Sequence, residues 1–481
     1  MRRLFTTAAA LALAGCMMGP NYRSPMPDAP AQAPFLSGQS PAFSGEQPPG
    51  RWWSLFADPV LDRLVEQALT ENTDLRVAAA NLSRARAVLR ETRSGLFPSA
   101  SASASATYSR QSGDQLGFPG GATEGWSYDV GIDASYQIDL FGRIRRAIQA
   151  RRAEVGAAQA AFDLSRITVA AETTRAYADA CSAGRQLAVA RETLRIQEQT
   201  FDLTRRLFEG GRATALETGQ AGALLEQVRA TVPTLEAQRQ TALFRLSVLT
   251  GRPPAEFPRE VANCETPPTL ARPVPVGDGA ALLSRRPDVR QAERELAAAS
   301  ARVGVAVVSL YPSITLGGSA GSSATSLGGL GSGDSFRFSL GPLISWEFTN
   351  LFVGRARIRQ AEANAEGALA NFEGTWLRAL QETESALTRY ARELDRRESL
   401  RRGRTHAADA ARIARLRYQA GRDSFQIVLD AERSLANTDA ALAQSEAQLS
   451  DQLVSLFLAL GGGWQDAPAP VVRSLTSSPS R

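Results

Sequence analysis

Apolar and polar residues alternate along residues 126–140. Every even position is apolar, and the odd positions are polar or glycine, with three aspartates among them: Asp129, Asp133 and Asp139. Because side chains of a strand point alternately to its two faces, this pattern predicts a long β-strand with one apolar and one polar face. Helical periodicity begins directly after Gly142, so the strand is predicted to continue into a helix.

The chain resembles itself at a nearly fixed offset. The segment SGLFPS at 94–99 recurs as VSLYPS at 308–313, and the Gly-Arg pair at 142–143 recurs at 354–355. Further matches, such as LFEGGR with RYQAGR, are 210 residues apart. Spacing this constant predicts an internal two-fold repeat of equivalent elements.

Each copy is predicted to contain a helix, an alternating β-hairpin with a Gly-rich tip, a very long helix, a glycine turn and a return helix. The first helix is expected at about 58–93, and the long helices at 143–205 and 355–417 are about 63 residues each. That corresponds to roughly 95 Å at 1.5 Å per residue. Helices of this length need neighbours along their apolar seams.

Pro233 is expected to kink the first return helix.

The repeat divides the chain into ten predicted segments. In order, they are a signal peptide at 1–15, an N-terminal strap at 16–55, helices of repeat 1 at 56–95, β-hairpin 1 at 96–142, long and return helices of repeat 1 at 143–250, a connection at 251–277, the helix of repeat 2 at 278–309, β-hairpin 2 at 310–353, long and return helices of repeat 2 at 354–460, and a partly disordered tail at 461–481.

The first 25 residues have the layout of a secretory signal. Two arginines precede a short apolar stretch that ends in small residues before Cys16. The sequence LAGC resembles the bacterial lipobox, so Cys16 is predicted to carry acyl chains, and Met17 after it resembles cargo sorted to the outer membrane. The alternative is an ordinary signal peptide with an incidental cysteine.

Composition narrows the function classes. No run of about 18 apolar residues follows the N-terminus, which excludes a transmembrane helix. The chain has no Lys, and its net charge of +5 is spread along the sequence. We therefore favour a solvated helix exterior over a nucleic-acid surface. The glycine clusters at the hairpin tips lack a phosphate-loop Lys and a following helix, so they do not predict a nucleotide site.

Three Cys and one His leave little room for catalytic or metal chemistry. Cys181 lies in a helical segment and Cys264 in a Pro-rich loop, without CxxC spacing, so both are predicted to be small buried thiols. His406 is predicted to be an exposed helical residue. No catalytic, metal or cofactor site is predicted from these residues.

Four strands with an apolar face have a length that suits an outer membrane, but they are too few to close a barrel. An open sheet in lipid would leave two edges of unsatisfied backbone groups. Three chains would supply twelve strands, enough for a barrel with a lumen. The polar positions, including the three aspartates, would then face a water-filled pore.

Motifs along nearly the whole mature chain resemble one family, the outer membrane factors. They are RWWSLFADPVLDRLVEQALTENTDLRVAAANLSRAR, SGLFPS, SLYPS, DLFGR, NLFVGR, YQAGRDSFQIVLDAER and LFLALGGGW. Cys16 and the ALGGGW ending place the resemblance closest to the lipidated efflux branch. It implies an α+β membrane protein: a homotrimeric channel-tunnel with a 12-stranded barrel and a periplasmic α-helical barrel. It also implies outer membrane lipid, a periplasmic adaptor and a proton-driven inner-membrane pump as partners, with neither nucleic acid nor a cofactor.

The resemblance further implies a periplasmic gate that is closed at rest. The aspartate and arginine of the family's LLDAQR segment lie at the constriction, and they match Asp430 and Arg433 of VLDAER. Gln426 occupies a position where the family often has leucine, so the apolar part of the seal differs here. The alternative is an exposed intrahelical ion pair worth roughly a few tenths of a kcal/mol. The first repeat has the uncharged Gln220 and Ala223 at these positions, which favours a special role in the second.

The predicted function is passive efflux of drugs, toxic compounds or metal ions. Two alternatives remain at the level of sequence: an export duct for proteins or peptides with the same fold, and a structural or enzymatic envelope lipoprotein. The missing His, Cys or Ser constellation disfavours an enzyme.

Overall fold

The structure is a computed structural model that describes residues 17–26, 29–111, 123–346, 348, 351–465 and 467–471. Cys16, the predicted signal peptide and the end of the predicted tail lie outside the described residues. The chain forms two compact units. The first comprises the described parts of Met1–Pro25, Leu82–Ala158 and Gln291–Phe372, and the second comprises the described parts of Met26–Asn81, Gln159–Arg290 and Glu373–Arg481.

The described residues contain six strands and nine α-helices. The strands are β1 (Phe43–Ser44), β2 (Ser99–Gln111), β3 (Thr123–Ile138), β4 (Val274–Pro275), β5 (Ser313–Ala324) and β6 (Phe336–Ser345). The helices are α1 (Pro59–Glu71), α2 (Thr73–Ser94), α3 (Arg143–Glu209), α4 (Ala215–Arg229), α5 (Thr231–Leu249), α6 (Gly279–Arg285), α7 (Pro287–Val308), α8 (Leu351–Gln419) and α9 (Phe425–Leu460). None of these helices combines the length and hydropathy that crossing a membrane requires.

The first unit contains a four-stranded antiparallel sheet in the order β2-β3-β5-β6. Its register aligns apolar residues across the strands, for example in the row Ala102, Ile132, Ala320 and Phe338. The alternation predicted for 126–140 is therefore continued by the neighbouring strands. The result is a sheet with one apolar and one mainly polar face.

The predicted change from strand to helix is present, but Asp139 has a different role from the one expected. Its carboxylate accepts hydrogen bonds from the backbone N–H groups of Ile144 (2.9 Å) and Arg145 (3.0 Å) at the start of α3. The Arg145 guanidinium also contacts this carboxylate at 3.2 Å, and the side chain of Asp139 is only 9% exposed. The prediction that Asp139 faces the pore was wrong, because the unpaired N–H groups of the helix N-terminus attract the carboxylate.

Two predicted helices are each divided in the structure. The helix expected at about 58–93 breaks at Asn72, whose side chain accepts from the N–H of Asp74 and donates to the carbonyl of Leu249. The first return helix breaks at Ala230. Pro233 lies in the first turn of α5, where its missing N–H costs no intrahelical hydrogen bond.

The long helices exceed the predicted lengths, with 67 residues in α3 and 69 in α8. In the second unit, cross-helix ion pairs and a core join the helices. Arg175 of α3 binds Asp451 of α9 at 2.6 Å, and Arg404 of α8 binds Asp439 of α9 at 2.8 Å. α9 therefore contacts both long helices. It is a neighbour of the kind that helices of this length need.

The N-terminal part of the second unit packs against the helices through aromatic side chains. Trp52 and Trp53 are fully buried, and the ring of Trp52 stacks on Phe457 of α9 with centroids 4.7 Å apart. β1 pairs in parallel with β4. This part of the predicted strap is thus held along the helical core.

Cys181 and Cys264 are joined by a disulfide, so the prediction of two separate thiols was wrong. Cys181 is fully buried in α3, and the loop that carries Cys264 crosses the helix at Gly184, where an added Cβ would collide with the Cys264 carbonyl oxygen. This close approach brings together two cysteines that are 83 residues apart in sequence. A disulfide of this kind belongs to an oxidising compartment.

Replacement of both cysteines by serine should lower the free energy of unfolding. A closed loop spanning 83 residues corresponds to about 4.5 kcal/mol of loop-closure entropy. Thermal unfolding followed by circular dichroism measures this loss. Reductant should destabilise the unsubstituted protein and leave the double variant unchanged, and an unchanged melting temperature of the double variant would contradict the prediction.

Candidate functional site: an apolar sheet face and a charged helical end

The apolar face of the sheet is exposed in the isolated chain. Ile132 is 60% exposed, Phe338 75% and Leu340 77%. Tyr108 and Trp126 also lie on this face, with ring centroids 5.5 Å apart. An exposed apolar patch that extends over four strands indicates contact with a membrane or with another protein.

The opposite face carries the polar groups of the sheet. Arg337 of β6 reaches across β5 and contacts both carboxylate oxygens of Asp129 on β3, at 2.8 and 2.9 Å. The β5 residue opposite Arg337 is Gly321, and the β3 residue opposite Gly321 is Gly131. Since neither glycine has a side chain, nothing on β5 blocks the path of the Arg337 side chain to Asp129. Asp133 lies on the same face, as predicted, whereas Asp139 does not.

Glycine turns end the long helices in the second unit. Gly211 and Gly421 adopt positive φ values of 70° and 69°, a conformation that L side chains rarely adopt. Across the second turn, Arg417 at the end of α8 binds Asp423 at 2.6 Å. The return helices α4 and α9 then pack on one another around a small apolar cluster that contains Ala221, Leu224, Ala414, Phe425, Val428 and Leu429.

The residues predicted to form a gate lie in the first three turns of α9, and all three are exposed. The amide of Gln426 donates to both carboxylate oxygens of Asp430, at 3.0 and 3.1 Å. Arg433 makes no ion pair with any described residue. It lines a groove of about 550 Å³ between α3, the junction of α4 and α5, and α9. The intrahelical ion pair considered as the alternative is therefore not formed in this chain.

Glu432, in the same segment, was not singled out by the sequence. It is 2% exposed, and one carboxylate oxygen accepts from Thr200 of α3 at 3.0 Å, while Arg415 of α8 lies 4.0 Å away. The other oxygen has no hydrogen-bond partner among the described residues. Burial raises the pKa of this carboxyl, although Thr200, Arg415 and Gln197 act in the opposite direction. The helical spacing from Phe425, Val428 and Leu429 could have placed it on the buried face.

No group of His, Cys, Asp or Glu side chains among the described residues could hold a metal ion. His406 is exposed on α8, as the sequence predicted. The described residues thus carry two notable features: the two-faced sheet and the charged segment of α9.

The sequence profile described as outer membrane efflux protein matches residues 64–252 and 280–462. The chain belongs to this family. It is an outer membrane efflux channel, which agrees with the exposed apolar face of its sheet.

Three similar proteins illustrate the family. The solved outer-membrane channel OprN has 36% identity and a TM-score of 0.88, covering 94% of this chain and 100% of that one. The toluene efflux pump outer membrane protein TtgC of Pseudomonas putida is 32% identical, over 95% of this chain and 94% of TtgC. The probable outer membrane lipoprotein SilC of Salmonella typhimurium is 30% identical, over 96% and 99% respectively.

Replacement of Glu432 by Gln should stabilise the protein at neutral pH by about 1 kcal/mol, because it removes a buried charge with an unpaired oxygen. The folded-state pKa is raised, so the folded chain holds the proton more tightly than the unfolded chain does. Stability is then greatest below the ordinary glutamate pKa and falls as the pH rises through the folded-state value.

The measurement is the melting temperature of both proteins between pH 4 and pH 8. Their difference should grow with pH over this window. The partly exposed Glu398 of α8, which is paired with Arg401, provides the control, and its change to Gln should not stabilise the protein. A lower melting temperature for the Glu432 variant at neutral pH would contradict the prediction.

Proposed function

We propose that this protein is the outer membrane conduit of a tripartite efflux system, through which small molecules pass passively to the exterior. The observation that supports this most directly is the sheet with an exposed apolar face and an opposite face that carries Asp129, Asp133 and Arg337. Apolar side chains suit lipid, and the charged residues suit an aqueous lumen.

The functional form is a homotrimer. The outer sides of β2 and β6 are the edges of the sheet, and an edge in hydrocarbon leaves backbone groups unpaired at several kcal/mol each. Pairing β2 of one chain with β6 of the next satisfies both edges. Three chains with four strands each give a closed barrel of twelve strands, which is wide enough for a lumen.

The helices extend the conduit into the periplasm. The order of hairpin, long helix, glycine turn and return helix occurs twice in the chain, which supports a two-fold repeat. α3 starts at Arg143, four residues after Asp139 in the short join that follows β3, so a strand of the barrel leads into a wall of helices. Three copies of the four helical passes supply about twelve helices around one axis.

The transported compounds are small toxic molecules, delivered by a periplasmic adaptor and a proton-driven inner-membrane pump. The name of TtgC assigns it to a toluene efflux pump, and 32% identity over nearly the full length supports a similar role here. Metal ions are a second substrate class. Cys16 anchors the chain through acyl groups, since the LAGC motif precedes it and the relative SilC is named a lipoprotein.

The charged segment of α9 closes the conduit at rest. Within the described part of its own chain, Arg433 has no acidic partner and Asp430 accepts side-chain hydrogen bonds from Gln426 only. Near a three-fold axis, Arg433 of one chain can pair with Asp430 of the next, which relieves the repulsion among three like charges. Exposed pairs of this kind are weak, so the seal can open reversibly.

Deletion of the gene should sensitise the cell to hydrophobic toxic compounds and leave the set of secreted proteins unchanged. Minimum inhibitory concentrations and the secreted proteome of the deletion strain measure the two effects, and the wild-type gene should restore resistance. Loss of secreted proteins at unchanged sensitivity would instead support the export of proteins or peptides.

Replacement of Asp430 and Arg433 by alanine should raise single-channel conductance in a planar bilayer several-fold, because the charges that close the conduit are removed. Asp409 and Arg412 of α8 provide a matched control, since they have the same acid-to-arginine spacing and are exposed. Their replacement by alanine should leave conductance unchanged.

Equal conductance of the gate variant and the control variant would count against the gate. The same detergent-solubilised preparations should have the mass of three chains. A monomeric mass would contradict the trimer, and with it any pairing between chains.

A further inference from the structure

A buried arginine at the start of α3 binds the N-terminal part of the chain. Arg146 is 2% exposed. Its Nε donates to the carbonyl oxygen of Met18 at 2.9 Å, and its Nη2 donates to the carbonyl oxygen of Gly19 at 2.9 Å and to Oδ1 of Asn21 at 3.0 Å. Its Nη1 donates to Oε1 of Gln149 at 3.0 Å.

No described carboxylate forms an ion pair with Arg146. Its charge is therefore balanced by neutral oxygens, and four of the five belong to residues 17–21. A buried cation is costly unless its hydrogen bonds are satisfied. Without these residues, the guanidinium would lose most of its partners, so the site is complete only when the N-terminal segment occupies it.

The shape of the site is adapted to the backbone of this segment. Gly19 has a φ of +88°, and a Cβ at this position would lie 2.6 Å from the Cα of Gly304 on α7. A Cβ on Gly304 would in turn lie 2.8 Å from the Cδ of Arg146. Both glycines are needed for the segment to pass this close to α7 and Arg146.

Two further contacts extend the site at both ends. The hydroxyl of Tyr22 donates to Oε1 of Glu293 at 2.7 Å, and its ring packs on a small alanine cluster formed by Ala153, Ala297 and Ala298. Met17, next to Cys16, lies against Gly142, where an added Cβ would be 2.9 Å from its Cγ. The segment is thus held from its first described residue to Tyr22.

We infer that the start of α3 and the adjoining part of α7 form a binding site for the segment that follows Cys16, with Arg146 as its positioning residue. The segment is therefore docked and not a free tether. The site holds Met17, which follows Cys16 in sequence, beside the strand-to-helix join at Gly142. The docking of residues 17–22 does not depend on the lipidation proposed above.

Limited proteolysis with trypsin tests the docking. The chain has no Lys, so trypsin can cleave only after arginine, and Arg23 follows the docked segment directly and is exposed. Cleavage requires local release of the residues around the bond. In Arg146→Met, the rate of cleavage after Arg23 should rise about tenfold, the effect of losing roughly 1.4 kcal/mol of local stability.

Three variants make the result specific. Gly304→Ala should produce a similar rise, because its Cβ displaces the Arg146 side chain while the charge is kept. Arg146→Lys should be intermediate, since an ammonium cannot reproduce the planar fork of donors. Arg143→Met is the matched control on the same helical turn, where the side chain is exposed, and it should behave as the unsubstituted protein.

Equal cleavage after Arg23 in Arg146→Met and Arg143→Met would overturn the inference. A general rise in cleavage at many arginines, with a lower melting temperature, would also overturn it, since Arg146 would then support the first unit as a whole. The assay uses no conductance or transport, so its failure is distinguishable from failure of the efflux proposal.

Discussion

Backbone N–H and C=O groups in hydrocarbon have no water to bind, and this constraint governs the sheet of the protein. Its inner strands β3 and β5 are paired on both sides, but β2 and β6 are each paired on one side only. At several kcal/mol for each unpaired group, open edges are incompatible with a bilayer. In the proposed trimer, neighbouring chains pair with both edges, and the apolar rows across all four strands form the face that suits lipid.

Unpaired backbone groups also need partners where the chain passes from β3 into α3. A helix begins with N–H groups that lack partners within the helix, and in this chain the carboxylate of Asp139 accepts two of them. Arg145 then binds the carboxylate and the backbone carbonyl of Asp139, which fixes the geometry of the join. The charge of Asp139 thus stabilises the change of secondary structure and is withdrawn from the polar face of the sheet.

Buried charges mark places where separate segments depend on one another. Arg146 binds mainly backbone oxygens of the N-terminal segment, and Glu432 joins three helices while one of its oxygens has no partner among the described residues. Burial opposes the charged form of both side chains: it lowers the pKa of Arg146 and raises the pKa of Glu432. Glu432 lies between Asp430 and Arg433 in sequence. The segment that carries the proposed gate therefore also contains a carboxylate whose burial destabilises its charged form.

The sequence by itself determined the elements with regular periodicity. The alternation at 126–140, the long helical segments and the glycine turns depend on local spacing, so they could be predicted before the structure was known. The motifs also carried the family, and with it the candidate positions Asp430 and Arg433. Only the tertiary structure decided which distant residues meet: Cys181 with Cys264, Arg146 with residues 18–21, and Glu432 with Thr200. It also decided that Asp139, which fits the alternation as well as Asp129 does, binds a helix N-terminus instead of lying on the polar face of the sheet. These outcomes depend on contacts between segments that are far apart in sequence and close in space. The local spacing of residues does not encode such contacts.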